Sequence, residues 1–334
     1  MHFVLIDYYR YAAALIVTIS HYFISYYTSP ELEFVAILGV ELFFPLSGFV
    51  LASQLQKLES HRTGFIIFFL RRWIRTIPPY IVALTCAAII FESGSFFNFL
   101  KFLSYTQNIY SDTSSPNFYS VAWSLSVEEW FYIIIPLCLF TMIRFTEQIS
   151  NKLQTVCLII IVTGIFLKFI FMPSFDVWGE EIRRSVLFRI DSLCYGVLAF
   201  MWRKKITKSI FFVSLFIISI SIFYLLNSIF LISNNSFVQF IFLPSCSLLF
   251  SFILAYLSKF KISGPFSKVG KFLANISYSM YLFHIIFIAL FQNFGMLNAF
   301  GFVSYFLVVT AFSTIFYYFF EKPINDSRPK YQMR

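Results

Sequence analysis

Two adjacent carboxylates, Glu128 and Glu129, interrupt the apolar run from Val121 to Met142 in a chain of 334 residues of which only 12% are charged. A carboxylate at bilayer depth costs at least ~2.5 kcal/mol, so it is expected to face a polar interior and belong to a site. His21, in an apolar run that begins just after Arg10, adds an imidazole suited to taking a proton near neutral pH. Glu41, Arg189, Asp191 and His284 break other apolar runs. Arg10, Arg71, Arg72 and Arg75 form a basic group whose guanidinium forks are shaped to hold phosphates. These residue types predict a polar passage with an anion-binding mouth at one end and an acid/base centre further in.

The elements that must carry them are membrane helices. The chain is 59% hydrophobic with 48 Phe and a mean hydropathy of +0.78, and one bilayer span takes ~20 apolar residues. We expect an all-α bundle of about ten spans, near 3–24, 34–53, 76–92, 122–143, 154–172, 185–202, 209–231, 237–257, 272–292 and 300–320. Most of the 25 basic residues fall on alternate connections, for instance Arg203, Lys204, Lys205 and Lys208. Under the positive-inside rule this places both termini in the cytoplasm. The net charge of +9 is then a topology signal, and a nucleic-acid partner is not expected. The expected partner on all sides is membrane lipid.

The stretch 57–75 reads as an amphipathic helix on the cytoplasmic surface, broken by Pro78 and Pro79 before the third span. The loop 93–121 suits a partly ordered cap over an external opening. The five Cys show no paired spacing and read as packing residues, and no metal-ligand pattern is present. One domain over 1–334 is expected, with no appended soluble domain and a retained first span.

Helical rise converts spacing into depth: His21 lies about 16 Å beyond Arg10. Glu41, Glu128, Arg189, Asp191 and His284 fall in the same middle-to-outer layer. Each has a bland reading beside the chemical one. Arg10 pairs readily with Asp7 three residues earlier, Glu128 could be a structural ion pair with Arg189, and the arginines at 71–75 could anchor the chain by snorkelling. Lys168 also reads as a snorkelling residue. Glu129 points about 100° away from Glu128 on a helix and suits an interhelical hydrogen bond. Arg189 and Asp191, two apart, must find separate partners. His284 shares a helical stripe with Tyr281 and Tyr278, which favours packing and hydrogen bonding over catalysis.

Five segments resemble the acyltransferase 3 family of integral-membrane O-acyltransferases. They are Asp7 to His21 with its Arg-x10-His spacing, GVELFFPLSGFVLA (39–52), FLRRWIRTIPPY (69–80) with Arg-x-x-Arg at Arg72 and Arg75, AWSLSVEEWFYIIIP (122–136), and ISYSMYLFH (276–284). They occur in family order over nearly the whole chain. Two positions depart from the pattern, with Glu41 where Asp is common and Trp130 where Gln is common.

The resemblance implies transfer of an acetyl group from cytoplasmic acetyl-CoA, a substrate and not a permanently bound cofactor, to a hydroxyl of an extracytoplasmic carbohydrate, lipid-linked or free. It favours His21 as base or nucleophile, with Glu128 orienting it as the carboxylate does in hydrolase triads. Arg10, Arg72 and Arg75, with Arg71 behind them, would bind the donor. Glu41, Trp123, Ser126, Arg189, Asp191, Tyr281 and His284 would line the acceptor side. Lipopolysaccharide O-antigen or another surface polysaccharide is the favoured acceptor, and a bacterial inner membrane the expected location. A homo-oligomer is left open. The competing class is a transporter or flippase of a lipid-linked sugar, which predicts repeat symmetry and interrupted spans in matching halves. No internal repeat is visible.

Overall fold

The computed structural model describes residues 3–27, 29–60, 64–91, 95–110, 118–145, 151–171, 181–227 and 235–329. All regular structure among them is helical. In order these are α1 (Val4–Tyr26), α2 (Pro30–Ser60), α3 (Gly64–Ile90), α4 (Phe96–Leu103), α5 (Ala122–Phe145) and α6 (Lys152–Phe171). There follow α7 (Val186–Arg189), α8 (Asp191–Trp202), α9 (Lys208–Asn227), α10 (Ser236–Leu257), α11 (Pro265–Asn293) and α12 (Gly301–Phe316). A π-helical turn, Tyr317–Glu321, leads into α13 (Lys322–Asp326). The middle of the 93–121 cap and the far C-terminus lie outside the described residues.

Seven helices are long and apolar enough to cross a bilayer: α2, α3, α5, α6, α10, α11 and α12 with its continuation to Asp326. The three other expected spans fall short of that measure. α1 has the length, but Asp7, Arg10 and His21 dilute its apolar content. The span at 185–202 is divided at Ile190 into α7 and α8. The apolar part of α9, Lys208–Tyr224, is short. Outward faces remain apolar, as in Phe166 and Phe169 of α6, Phe216 and Phe223 of α9, and Leu307 and Phe319 near the C-terminus. A protein surface of this kind suits hydrocarbon and not water.

The expected break at Pro78 and Pro79 is corrected: α3 runs unbroken through both, so no separate surface helix precedes the span. Proline removes a backbone donor, which in lipid must be compensated by neighbouring groups. The carbonyls that lose a helical donor are those of Ile74 and Arg75, one turn back, and next to them Tyr278 OH donates to the Thr76 carbonyl at 3.0 Å.

The closest crossing is α2 on α8. A Cβ on Gly48 would lie 1.9 Å from the Leu193 carbonyl oxygen, and one on Gly196 would lie 1.9 Å from that of Pro45. Glycine is needed at both points because the two backbones touch, and without a hydrophobic drive inside lipid such close contact is what joins helices. α1 lies between α2 and α11, and α2 also packs on α10 and α5. α1, α2, α5 and α11, with α3 alongside, therefore surround one central volume.

Residues 95–110 of the cap are stitched to the N-terminal part of α5. Trp130 Nε1 donates to the Tyr105 carbonyl at 2.9 Å, and Gln107 Nε2 donates to Ser126 Oγ at 2.6 Å. Asn108 Nδ2 donates to the carbonyls of Trp123 and Arg184, at 3.0 and 2.5 Å. This ties the cap to the segment leading into α7.

Candidate active site

A cavity of about 770 Å³, counting its open mouth, lies between α1, α2, α3, α5 and α11. Its charged lining is Arg10 from α1, Arg72 and Arg75 from α3, and Glu128 from α5. Three guanidinium groups against one carboxylate leave an excess of positive charge, which suits an anionic ligand. Phe43, Phe44, Val50, Tyr132, Tyr278 and Tyr281 supply apolar and aromatic wall, and Ser47, Thr76, Ser124 and Ser277 supply hydroxyls.

Local sequence explains how these groups are held. Arg72 and Arg75, three apart, share one face of α3. The Arg72 guanidinium sits 5.8 Å from the centre of the Tyr132 ring. Tyr132, one turn after Glu128, donates its OH to Glu128 Oε2 at 2.9 Å, and Ser47 Oγ donates to Oε1 at 2.6 Å. Arg10 and Arg75 are the cations that act on Glu128. Glu129 points the other way and accepts from Thr76 Oγ1 at 2.6 Å, the interhelical bond its position on α5 predicts.

His21 is not part of the cavity wall. Its Nδ1 lies 2.8 Å from His284 Nε2, and the rings are nearly parallel, at 12° with centroids 5.1 Å apart. His284 is fully buried, whereas His21 is half-buried. Tyr281 links this pair to the cavity. Its ring lines the cavity with its OH 2.6 Å from Ser124 Oγ, and its carbonyl oxygen lies 2.7 Å from His284 Nδ1. Arg183 and Arg184, from the segment before α7, act electrostatically on His21.

Several expectations are corrected here. Glu128 does not orient His21: both of its oxygens are engaged by Ser47 and Tyr132, and His21 Nδ1 is engaged by His284. Arg189 pairs with Glu41 at 2.5 Å and not with Glu128. Lys168 does not snorkel; it is buried and pairs with Asp191 at 2.6 Å. Glu41, Arg189 and Asp191 are therefore closed into buried ion pairs and do not line the cavity. Ser126 is also buried, under Gln107. Trp123 packs between the Phe44 ring, at 5.7 Å, and the Arg183 guanidinium, at 5.3 Å. Arg71 turns away from the cavity to donate to the Pro329 carbonyl at 2.5 Å.

Ser47, Thr76, Ser124 and Tyr132 are cavity residues that the reading of charged positions passes over. Tyr132 was detectable as the i+4 neighbour of Glu128; the other three carry no charge to mark them. Among the described residues, no three His, Cys, Asp or Glu side chains come together to hold a metal ion.

Apolar helices enclosing a guanidinium-lined cavity, with a histidine pair beyond it, define a multi-pass membrane protein with a buried polar site. The chain belongs to the acyltransferase 3 family, whose acyltransferase domain matches residues 3–320. O-acetyltransferase OatA of Staphylococcus aureus (strain NCTC 8325 / PS 47) is 28% identical over 330 residues, covering 86% of this chain and 52% of that protein. Peptidoglycan O-acetyltransferase OatA of Listeria monocytogenes serovar 1/2a (strain ATCC BAA-679 / EGD-e) is 25% identical over 189 residues, covering 49% of this chain and 29% of that protein. At best, then, the chain spans about half the length of these curated relatives. No solved structure matches it significantly.

Proposed function

We propose that the protein is a transmembrane O-acetyltransferase that moves an acetyl group from cytoplasmic acetyl-CoA to a hydroxyl of an extracytoplasmic carbohydrate. The observation that carries this reading is the cavity lined by Arg10, Arg72 and Arg75, with Tyr281 joining it to the His21–His284 pair. The arginines receive the phosphates of the donor by charge-assisted hydrogen bonds. The pantetheine arm follows the cavity toward Tyr281. Arg10 and His21 stand eleven residues apart on α1, about 16 Å, a distance comparable to the reach of that arm. His21 then takes the proton of the acceptor hydroxyl as its oxygen attacks the thioester carbonyl. An acetyl-histidine intermediate uses the same residues.

Both termini lie in the cytoplasm in this reading, and α1, the α7–α8 pair and α9 complete about ten spans in an inner membrane. The acceptor is a surface glycan. O-antigen and peptidoglycan strands are the two to compare, the second because the Listeria relative is named for it. The test is purified, reconstituted protein given radiolabelled acetyl-CoA with each glycan in turn. Label on a glycan hydroxyl is the expected result. Translocation of a lipid-linked sugar without any acetylation would replace this reading with that of a flippase.

A further inference from the structure

The histidine pair specifies where its protons are. His284 Nδ1 lies 2.7 Å from the Tyr281 carbonyl oxygen, one turn back on α11. A carbonyl oxygen only accepts, so this contact is a hydrogen bond when His284 Nδ1 carries the proton. A neutral imidazole has a single N–H, which leaves His284 Nε2 as a lone pair. His21 Nδ1, 2.8 Å away, must then be the donor. The proton of neutral His21 is used on the buried side, and its Nε2 is left bare.

The opposite arrangement sets two lone pairs against each other at 2.7 Å between His284 Nδ1 and the carbonyl. A doubly protonated His284 would be a fully buried cation facing another imidazole and the backbone of Tyr281 and Met280, with no carboxylate among the described residues to balance it. The charged groups acting on its partner His21, Arg183 and Arg184, are themselves positive. Burial of an unpaired charge is the costlier state. Tyr305 OH on α12 lies between the carbonyls of Thr18 and His284, at 3.5 and 3.4 Å.

We propose that His284 is the positioning residue for His21, holding it in the Nδ1–H tautomer so that Nε2 is the basic atom presented to the acceptor. This rests on the acetyl-transfer reading for its chemistry, though not for its geometry. In the transfer, the acceptor proton passes to His21 Nε2 as the acceptor oxygen bonds to the thioester carbon. The carbon–sulfur bond then breaks, and the departing thiolate takes that proton. His284 accepts the hydrogen bond from His21 Nδ1 throughout and neither gains nor loses a proton. A neutral imidazole does here what a carboxylate does in hydrolase triads.

The experiment is 15N NMR of the full chain with labelled histidine, in lipid nanodiscs at a pH where both rings are neutral. Only four histidines are present, so assignment by substitution is direct. His21 is expected to show a protonated Nδ1 and a bare Nε2. His284→Gln keeps an acceptor for His21 Nδ1–H, and should preserve that signature and retain transfer within about tenfold. His284→Phe keeps a flat ring without an acceptor. It should mix the tautomers and lower kcat at least about a hundredfold, with acetyl-CoA binding unchanged, as expected when a catalytic imidazole loses its orienting partner. A wild-type His21 protonated on Nε2, or equal losses in the Gln and Phe variants, would overturn the proposal. Because the tautomer is read without turnover, a failure of acetyl transfer with every glycan would sink the acetyltransferase reading and leave this assignment to be judged separately.

Discussion

Glu41 on α2 and Arg189 at the end of α7 meet at 2.5 Å with both side chains fully buried. Asp191 and Lys168 form a second pair beside them, and Lys168 is close enough to Arg189 and Glu41 to interact with both charges. Four ions thus neutralise each other where the α7–α8 break meets α2 and α6. Removing one partner from a buried pair strands the other, at a cost of about 3–5 kcal/mol. Glu41→Ala should therefore sharply reduce the amount of folded protein recovered from membranes. Glu41→Asp, which shortens the reach by one methylene, should be milder. The double variant Glu41→Ala/Arg189→Ala should lose less than the two single losses added together, measured as thermal stability in detergent.

The α2–α8 crossing gives a prediction of different origin. Gly48→Ala places a methyl 1.9 Å from a carbonyl oxygen, and only a shift of backbone can relieve it. Overpacking of this kind costs typically about 1–3 kcal/mol, and an immobile neighbour puts it at the upper end. At Gly39 the methyl would instead meet the Cγ2 methyls of Val17 and Ile16, at 2.8 and 2.9 Å, and the Val17 backbone nitrogen at 3.2 Å. Those contacts are at least about 0.9 Å longer than the one at Gly48, so Gly39→Ala should be the better tolerated of the two in the same melting assay.

What was legible in the sequence follows from the range of the interactions. The Arg-x10-His spacing, the Arg72/Arg75 face and the divergence of Glu128 from Glu129 are properties of single helices, and periodicity exposes them. The partners of Glu41, Lys168 and His21 are set by how helices cross, at separations of 148, 23 and 263 residues. No local pattern encodes those choices, and a shared depth does not make Glu128 the partner of His21.

Donor binding separates the three neighbouring arginines. Arg72 and Arg75 line the cavity, whereas Arg71 is spent on the Pro329 carbonyl. A hydrogen bond to a charged group contributes about 1.5–3 kcal/mol. Arg72→Ala and Arg75→Ala should each weaken acetyl-CoA binding by about ten- to a hundredfold, in calorimetry or filter binding. Arg71→Ala should leave it within about threefold. Equal effects from all three would return the cluster to the role of a topology anchor.

The chemistry should separate from binding at His21. His21 lies outside the cavity wall, connected to it through His284 and Tyr281, so His21→Ala should abolish acetyl transfer while acetyl-CoA binding stays within about threefold of wild type. Glu128→Gln should behave differently, because Glu128 shares the cavity with the arginines. It keeps an oxygen for one of the Ser47 and Tyr132 donors, but removes the negative charge that Arg10 and Arg75 face. Donor affinity and kcat should both change, with activity low but measurable. Membrane abundance, checked by blotting, controls for misfolding in each case. Wild-type turnover by a well-expressed His21→Ala protein would eliminate His21 as the acid/base centre. Loss of donor binding in that variant would mean that the donor reaches the histidine pair directly, with the cavity arginines serving its far end.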